Sequence, residues 1–200
     1  LISYFYNGLF KSYQKSNNLI IMNSNNNEEN SNAIIKNDEN NLYFQGPISQ
    51  ISCFHIQQYI LKMQSEKHEN INLHIQSMGG ALLPTFGLID SIKSSNIPIN
   101  TYINGFVASA GSLISVSGEK RYISKNSMML IHSLRTTIGE VNYNELEEHY
   151  LNSNKMMNLV KNIYKDKSNI SDKTLDFLLQ HDYWLNSTEC LKYNFVDYII

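Results

Sequence analysis

The sequence predicts an α/β fold with mostly parallel strands. Two observations point to it. Short apolar runs of strand character alternate with helical stretches from about Leu42 onward, and the residues best suited to chemistry fall where strands end. A third observation sets the scale: 200 residues fit one domain with a sizeable core. Hydrophobic content of 42% and charged content of 17% are those of an ordinary globular protein. A net charge of −2 gives no electrostatic basis for binding nucleic acid or a membrane surface. No apolar run approaches the roughly 20 residues of a membrane span. Cys53 and Cys190 supply neither a disulfide framework nor metal-ligand spacing, so no metal is expected. The expected setting is soluble and intracellular, in cytoplasm or an organelle matrix.

The chain opens on Leu1 rather than Met, which leaves room for an upstream segment. LISYFYNGLF lacks the basic flank and small-residue cleavage site of a secretory signal. SYFYNGLFKSYQKSNNLIIM carries enough aromatic and aliphatic residues for a hairpin or a short helix. Asn23 to Asn41 is about half asparagine and is expected to be a flexible loop, since it offers little apolar area to offset its ordering entropy. Residues 1–41 therefore read as an N-terminal extension and 42–200 as the main domain. NLYFQGPIS is almost the recognition site used to cut affinity tags, with Asn40 where that site has Glu. It also serves as a first strand and is read as native.

Alternation follows. SQISCFHIQQYILKMQ sets Ile51, Phe54, Ile56, Tyr59, Ile60 and Met63 on a roughly helical period, and INLHIQS is a strand. TFGLIDSIKSS is a helix, IPINTYI a strand, SAGSLISVS a helix closed by a turn at GEK, and RYISKNSMMLIH contains a further strand. A long helix is expected from about Val141 to Asp166. Glu145, Glu147 and Glu148 come early in it and Lys155, Lys161 and Lys165 late, an order that suits the helix dipole. Tyr143, Tyr150, Met156, Met157 and Tyr164 give it more apolar surface than one small domain needs, which predicts an interface.

Three strand-end positions could carry chemistry. Gly79-Gly80 closes IQSMGG as a turn, or as an exposed backbone N–H that donates to an oxyanion. Ser109, in GFVASAGSLIS, is an N-cap or a nucleophile on a tight strand-to-helix turn. His132 closes MMLIH as a structural residue or a base.

Taken together, IQSMGG, GFVASAGS, KRYISKNSMMLIH and HDYWLNSTECLKYNFVD resemble, in order and approximate spacing, the proteolytic subunit of the Clp protease family. The family elements are N-S-P-G-G, G-x-A-A-S-x-G, K-R-x-x-x-x-N-S-x-x-M-I-H and R-D-x-x-x-S-A-x-E-A-x-x-Y-G-L-V-D. The resemblance spans about Leu42 to Ile200, and the 23 residues from Ser109 to His132 resemble the compact form in phage and large-virus relatives. It implies the ClpP/crotonase-like spiral of short βαβ units, with Val141 to Asp166 as a handle helix. It implies Ser109 as nucleophile, His132 as general base and Asp182 as the acid orienting the imidazole. Asp172 and Asp176 lie nearby, and only the match to HDYWLNSTE singles out Asp182. The implied oxyanion donors are the N–H groups of Gly80 and Ala110, with Gly80 bare so that a substrate backbone can lie close.

The chain departs from the family pattern at Gln76 and Met78, at Leu134 after His132, and at Asn194, which replaces a glycine at a helix end. Asn also tolerates the left-handed conformation that such a site requires. The resemblance further implies polypeptide substrates, homo-oligomeric heptameric rings stacked in pairs, a ring-shaped Clp ATPase partner that uses ATP, and no cofactor in this subunit. Two other readings are a non-catalytic subunit of a mixed ring and a crotonase-type acyl-CoA enzyme.

Overall fold

In the computed structural model, which describes residues 19–22 and 33–200, nine strands share one sheet and six helices pack around it. β1 (Leu19–Met22) pairs antiparallel with β2 (Ala33–Asp38), and β2 pairs antiparallel with β3 (Asn41–Gln45). This corrects the expectation of a flexible tract over residues 23–41. Its segment AIIKND alternates buried and exposed, with Ala33 and Ile35 in the core, and that period-two pattern is what a half-buried strand needs. Residues 23–32 and 1–18 lie outside the described residues, as do the loop reading of the first and most of the hairpin-or-helix reading of the second. NLYFQ forms the expected strand β3, with Leu42 and Phe44 inward.

Helix α1 (Gln50–Ser65) starts at a capping box, in which Ser49 and Ser52 each bond the other's backbone N–H. It buries Cys53, Ile56, Ile60 and Met63 against β2, β3 and the next helix. β4 (Ile71–Ser77) then runs parallel to β3, and α2 (Leu82–Lys93) leads to β5 (Ile99–Ala108), parallel to β4. α2 begins three residues before Thr85, where the sequence suggested, because Pro84 falls in the first turn and costs no intrahelical hydrogen bond there.

Strand β5 extends beyond the expected IPINTYI and takes in GFVA. Its first half pairs with β6 (Arg121–Ile123), its second half with β7 (Met128–Leu130). Gly105, at φ +84, bends the strand at this fork. The Ser127 hydroxyl fills the gap, accepting from Gly105 N–H at 2.8 Å and donating to the Ile103 carbonyl at 3.1 Å.

The remainder comprises α3 (Ala110–Val116), α4 (Tyr143–Asp166), α5 (Asp172–Gln180), β8 (Trp184–Asn186), α6 (Ser187–Lys192) and β9 (Tyr198–Ile199). β8 pairs antiparallel with β7, and β9 parallel with β6. α4 is capped by Asn142 and Glu145 and buries only Val160 and Tyr164 fully. Tyr164 is therefore core, a correction to its expected place on an interface, while Tyr143, Leu146, Tyr150, Leu151 and Leu159 remain exposed. Asn194 takes φ +62, the left-handed turn expected of it.

One sheet face carries a ladder of stacked rings. Tyr43, His74, Tyr102, Tyr122 and Tyr198 occupy matched register positions, with centroids 4.5, 4.6, 4.5 and 5.0 Å apart. Burial in the stack pushes the His74 imidazole below the usual histidine range, against a smaller opposing effect of a hydrogen bond with Asn104. Among the described residues, no helix is long and apolar enough to cross a membrane.

Candidate active site

Strand register gathers the three candidate side chains at one end of the sheet. Ala108 on β5 pairs with Leu130 on β7, and Leu130 pairs with Trp184 on β8. Ser109 stands one residue past its strand, His132 two past its own, and Asp182 two before Trp184. Continued beyond Leu130 and Trp184, the antiparallel register would set His132 directly opposite Asp182.

Ser109 sits on a strained turn, φ +54 and ψ −126, between β5 and α3. That backbone region is costly for a residue with a Cβ, and it is held by Ser109 N–H donating to the Leu130 carbonyl at 3.0 Å. Small neighbours make the turn possible. A Cβ on Gly79, which has φ +99, would stand 2.6 Å from Ser109 Cβ and 3.0 Å from the Ala110 nitrogen. A Cβ on Gly111 would press on Ser77 at 3.2 Å. Ser77 in turn donates to the Gly46 carbonyl at 2.7 Å and accepts from Gly79 N–H at 3.0 Å, fixing the glycine loop beneath the serine.

Gly80 also has a reason within the fold to be bare. A Cβ there would collide with the backbone of Ile48, which bridges this loop on both sides through Ile48 N–H to the Gly79 carbonyl and Ala81 N–H to the Ile48 carbonyl. The bridge leaves Gly80 N–H unused. Ala110 is the first residue of α3, so its N–H has no partner within the helix. Among the described residues neither group makes a backbone hydrogen bond, and both residues line one cavity of about 250 Å³ with Ser109 and His132. Leu82, Leu113, Leu134, Val160 and Tyr164 make its apolar walls.

His132 and Asp182 make no hydrogen bond to each other and have other partners. The His132 Nδ1 lies 2.6 Å from the Ser133 carbonyl. A carbonyl can only accept, so Nδ1 carries the proton and Nε2 is left as the basic nitrogen. Asp182 Oδ2 instead takes a hydrogen bond from Arg135 Nη2 at 2.5 Å. The ladder stops short because Tyr183 N–H turns back to the His181 carbonyl and Ser133 N–H goes to the Leu179 carbonyl. Among the described residues Ser109 Oγ makes no hydrogen bond. Arg135, the Ser133 carbonyl and the support from Gly79 were not evident in the sequence. Arg135 follows the histidine by three positions, and no pattern in the chain sets it apart.

Comparison with known proteins now decides the lineage. The model of the Clp protease family matches residues 18–200. This chain belongs to the Clp protease family. The Clp subunit is 26% identical over 162 residues to an ATP-dependent Clp protease proteolytic subunit of Streptococcus mutans, covering 78% of this chain and 81% of the relative. It is 28% identical over 153 residues to proteolytic subunit 3 of the Arabidopsis thaliana chloroplast, covering 72% of this chain and 47% of the longer relative. A solved structure of a mutant ClpP1 from Listeria monocytogenes superposes with a TM-score of 0.74 at 24% identity, over 82% of this chain and 92% of that one. The expected ClpP/crotonase-like fold is thus the one observed. Among the described residues no group of three His, Cys, Asp or Glu side chains could hold a metal ion.

Proposed function

We propose that this Clp family serine peptidase cleaves unfolded polypeptides with Ser109 as nucleophile, His132 as general base and Asp182 as the group that orients it. One observation carries the reading: β5 and β7 end where β8 begins, and a strained serine and an imidazole whose Nδ1 faces a carbonyl line one cavity beside two free N–H donors.

Ser109 Oγ attacks the scissile carbonyl while its proton passes to His132 Nε2. The oxyanion that forms receives hydrogen bonds from Gly80 and Ala110 N–H, preorganised because neither is spent on the fold. His132 then gives the proton to the leaving amine, and the same steps with water release the acyl product. None of these steps calls for a metal or cofactor. A ring-shaped ATPase that uses ATP to deliver unfolded chains, and heptameric rings stacked through α4, complete the proposal for the assembly. The exposed apolar residues of α4 support such a contact.

Labelling with a fluorophosphonate and turnover of a fluorogenic peptide test it. Ser109 should be the labelled residue, and Ser109→Ala should lose on the order of 10⁶ in turnover with its mass in solution unchanged. Absence of labelling in an assembled particle would favour a non-catalytic ring subunit.

A further inference from the structure

We propose that Arg135 is a specificity-determining residue that recognises an acidic side chain beside the scissile bond, so that the site prefers acidic stretches of polypeptide. The inference rests on the peptidase reading above and deepens it by naming the substrates that this site favours.

The lining of the cavity sets its charge. Its ionisable side chains are His132, Tyr164 and Arg135, and no carboxylate lines it among the described residues. Burial keeps the Tyr164 phenol neutral, and His132 must be neutral to act as a base. The Arg135 guanidinium is therefore the fixed charge that a bound peptide meets there. Leu134 and Arg135 follow directly on His132 and Ser133, so the segment that carries the base also carries the cation. Two backbone bonds hold that segment on α5 and α4: Ser133 N–H donates to the Leu179 carbonyl at 2.7 Å, and Leu134 N–H to Met157 Sδ at 3.2 Å.

The guanidinium also has donors to spare. It carries five N–H groups, and its partner among the described residues is Asp182 Oδ2, on Nη2. The two side chains are 71% and 59% exposed, so water rather than protein covers the rest of the fork. A second carboxylate can take those donors in the planar geometry that suits it. Asp182 offsets part of the charge and solvent screens the remainder, which keeps the preference modest. Such a carboxylate comes from an aspartate or glutamate side chain or from a free chain end. In a long chain the ends are few, and the internal side chain is the source assigned here.

The test uses fluorogenic peptides blocked at both ends, with Glu, Gln or Lys placed in turn at the two positions on either side of the cut bond. At one of these positions kcat/KM should run Glu over Gln over Lys, each step about two- to fivefold, the worth of an exposed charge pair. The order should sit in KM, because the contact is made alike in substrate and transition state. Raising ionic strength should shrink it. Arg135→Gln should erase the order, Arg135→Lys should keep part of it, and Arg135→Glu should reverse it. Any effect of these variants on Asp182 changes all the peptides alike and cancels in the ratios. No such order at any position, or an order that survives Arg135→Gln, overturns the proposal and leaves the peptidase reading intact. A preference seen only in peptides with a free C-terminal carboxylate beside the bond overturns the internal side chain as the recognised group. An assembled particle that cuts none of the peptides overturns both readings.

Discussion

The Tyr164 hydroxyl lies 2.7 Å from Ser112 Oγ and joins the long helix α4 to the short helix that Ser109 heads. Ser112 gives its own proton to the Ser109 carbonyl at 2.6 Å, so Tyr164 is the donor in the pair. Burial raises the phenol far above its ordinary range and keeps that proton in place, against a smaller opposing effect of the Ser112 bond. Packing of α4 is thereby coupled to the backbone turn at Ser109.

Removing that hydroxyl should be felt at both ends. Tyr164→Phe should cost about 1 kcal/mol, the worth of one buried hydrogen bond, and lower Tm by about 2–4 °C. Calorimetry checks the first figure. Labelling of Ser109 should slow in the same variant if the coupling reaches the turn, and an unchanged rate would confine Tyr164 to stability.

Gly79→Ala should disable the proposed nucleophile while leaving residue 109 a serine. The added Cβ would meet Ser109 Cβ at 2.6 Å in a backbone region, φ +99, that alanine resists. A loss of about 1–3 kcal/mol and of nearly all labelling is expected. Gly139→Ala, with nothing within 4 Å of its new Cβ, is the control and should leave both unchanged.

Acid stability should depend on Asp197. Burial raises this carboxyl, but hydrogen bonds and charge from Arg121 outweigh burial and hold it below its ordinary value of 3.8. A depressed folded value means stability present above the ordinary carboxylate range and lost as pH falls through the folded value, so the loss belongs below about pH 4. Asp197→Asn should flatten the fall of Tm in that window. Arg121→Ala, which strands the carboxylate and removes the bond to the Asn194 carbonyl, should cost about 3 kcal/mol. Thermal melts should show this as a drop of about 6–12 °C.

Assembly should respond to the exposed half of α4. Tyr150, 66% exposed, lies one turn from the exposed Leu146 on the same helix face. Tyr150→Asp should reduce particle mass in light scattering, because a charge would enter a contact that excludes water. If neither this change nor the same change at Leu146 alters the mass, α4 is not the proposed contact between subunits.

The chain's local patterns fixed the α/β class, the strands INLHIQS and NLYFQ and the long helix, because periods of two and 3.6 are written in neighbouring residues. The same local reading ended β5 early at Ile103. It could not foresee that GFVA would pair with β7 once Gly105 bent the strand. It also judged AIIKND by its asparagine-rich surroundings, whereas the antiparallel partner β3 supplies the backbone hydrogen bonds that make it a strand.

At the site, Ser109, His132 and the two glycines were legible because each sits at a strand end or a small-residue turn. Along the chain Asp182 looks like Asp172 and Asp176 and is singled out only by the match of HDYWLNSTE, while the β7–β8 register, continued past Leu130, sets it opposite His132. What covers Gly80, what holds His132 Nδ1, and that Arg135 holds Asp182 all depend on residues from separate stretches of chain meeting at one end of the sheet. A sequence records which groups are available and how far apart they lie along the chain. Which acceptor a proton finds is decided by distances through space, and only the packed sheet sets those.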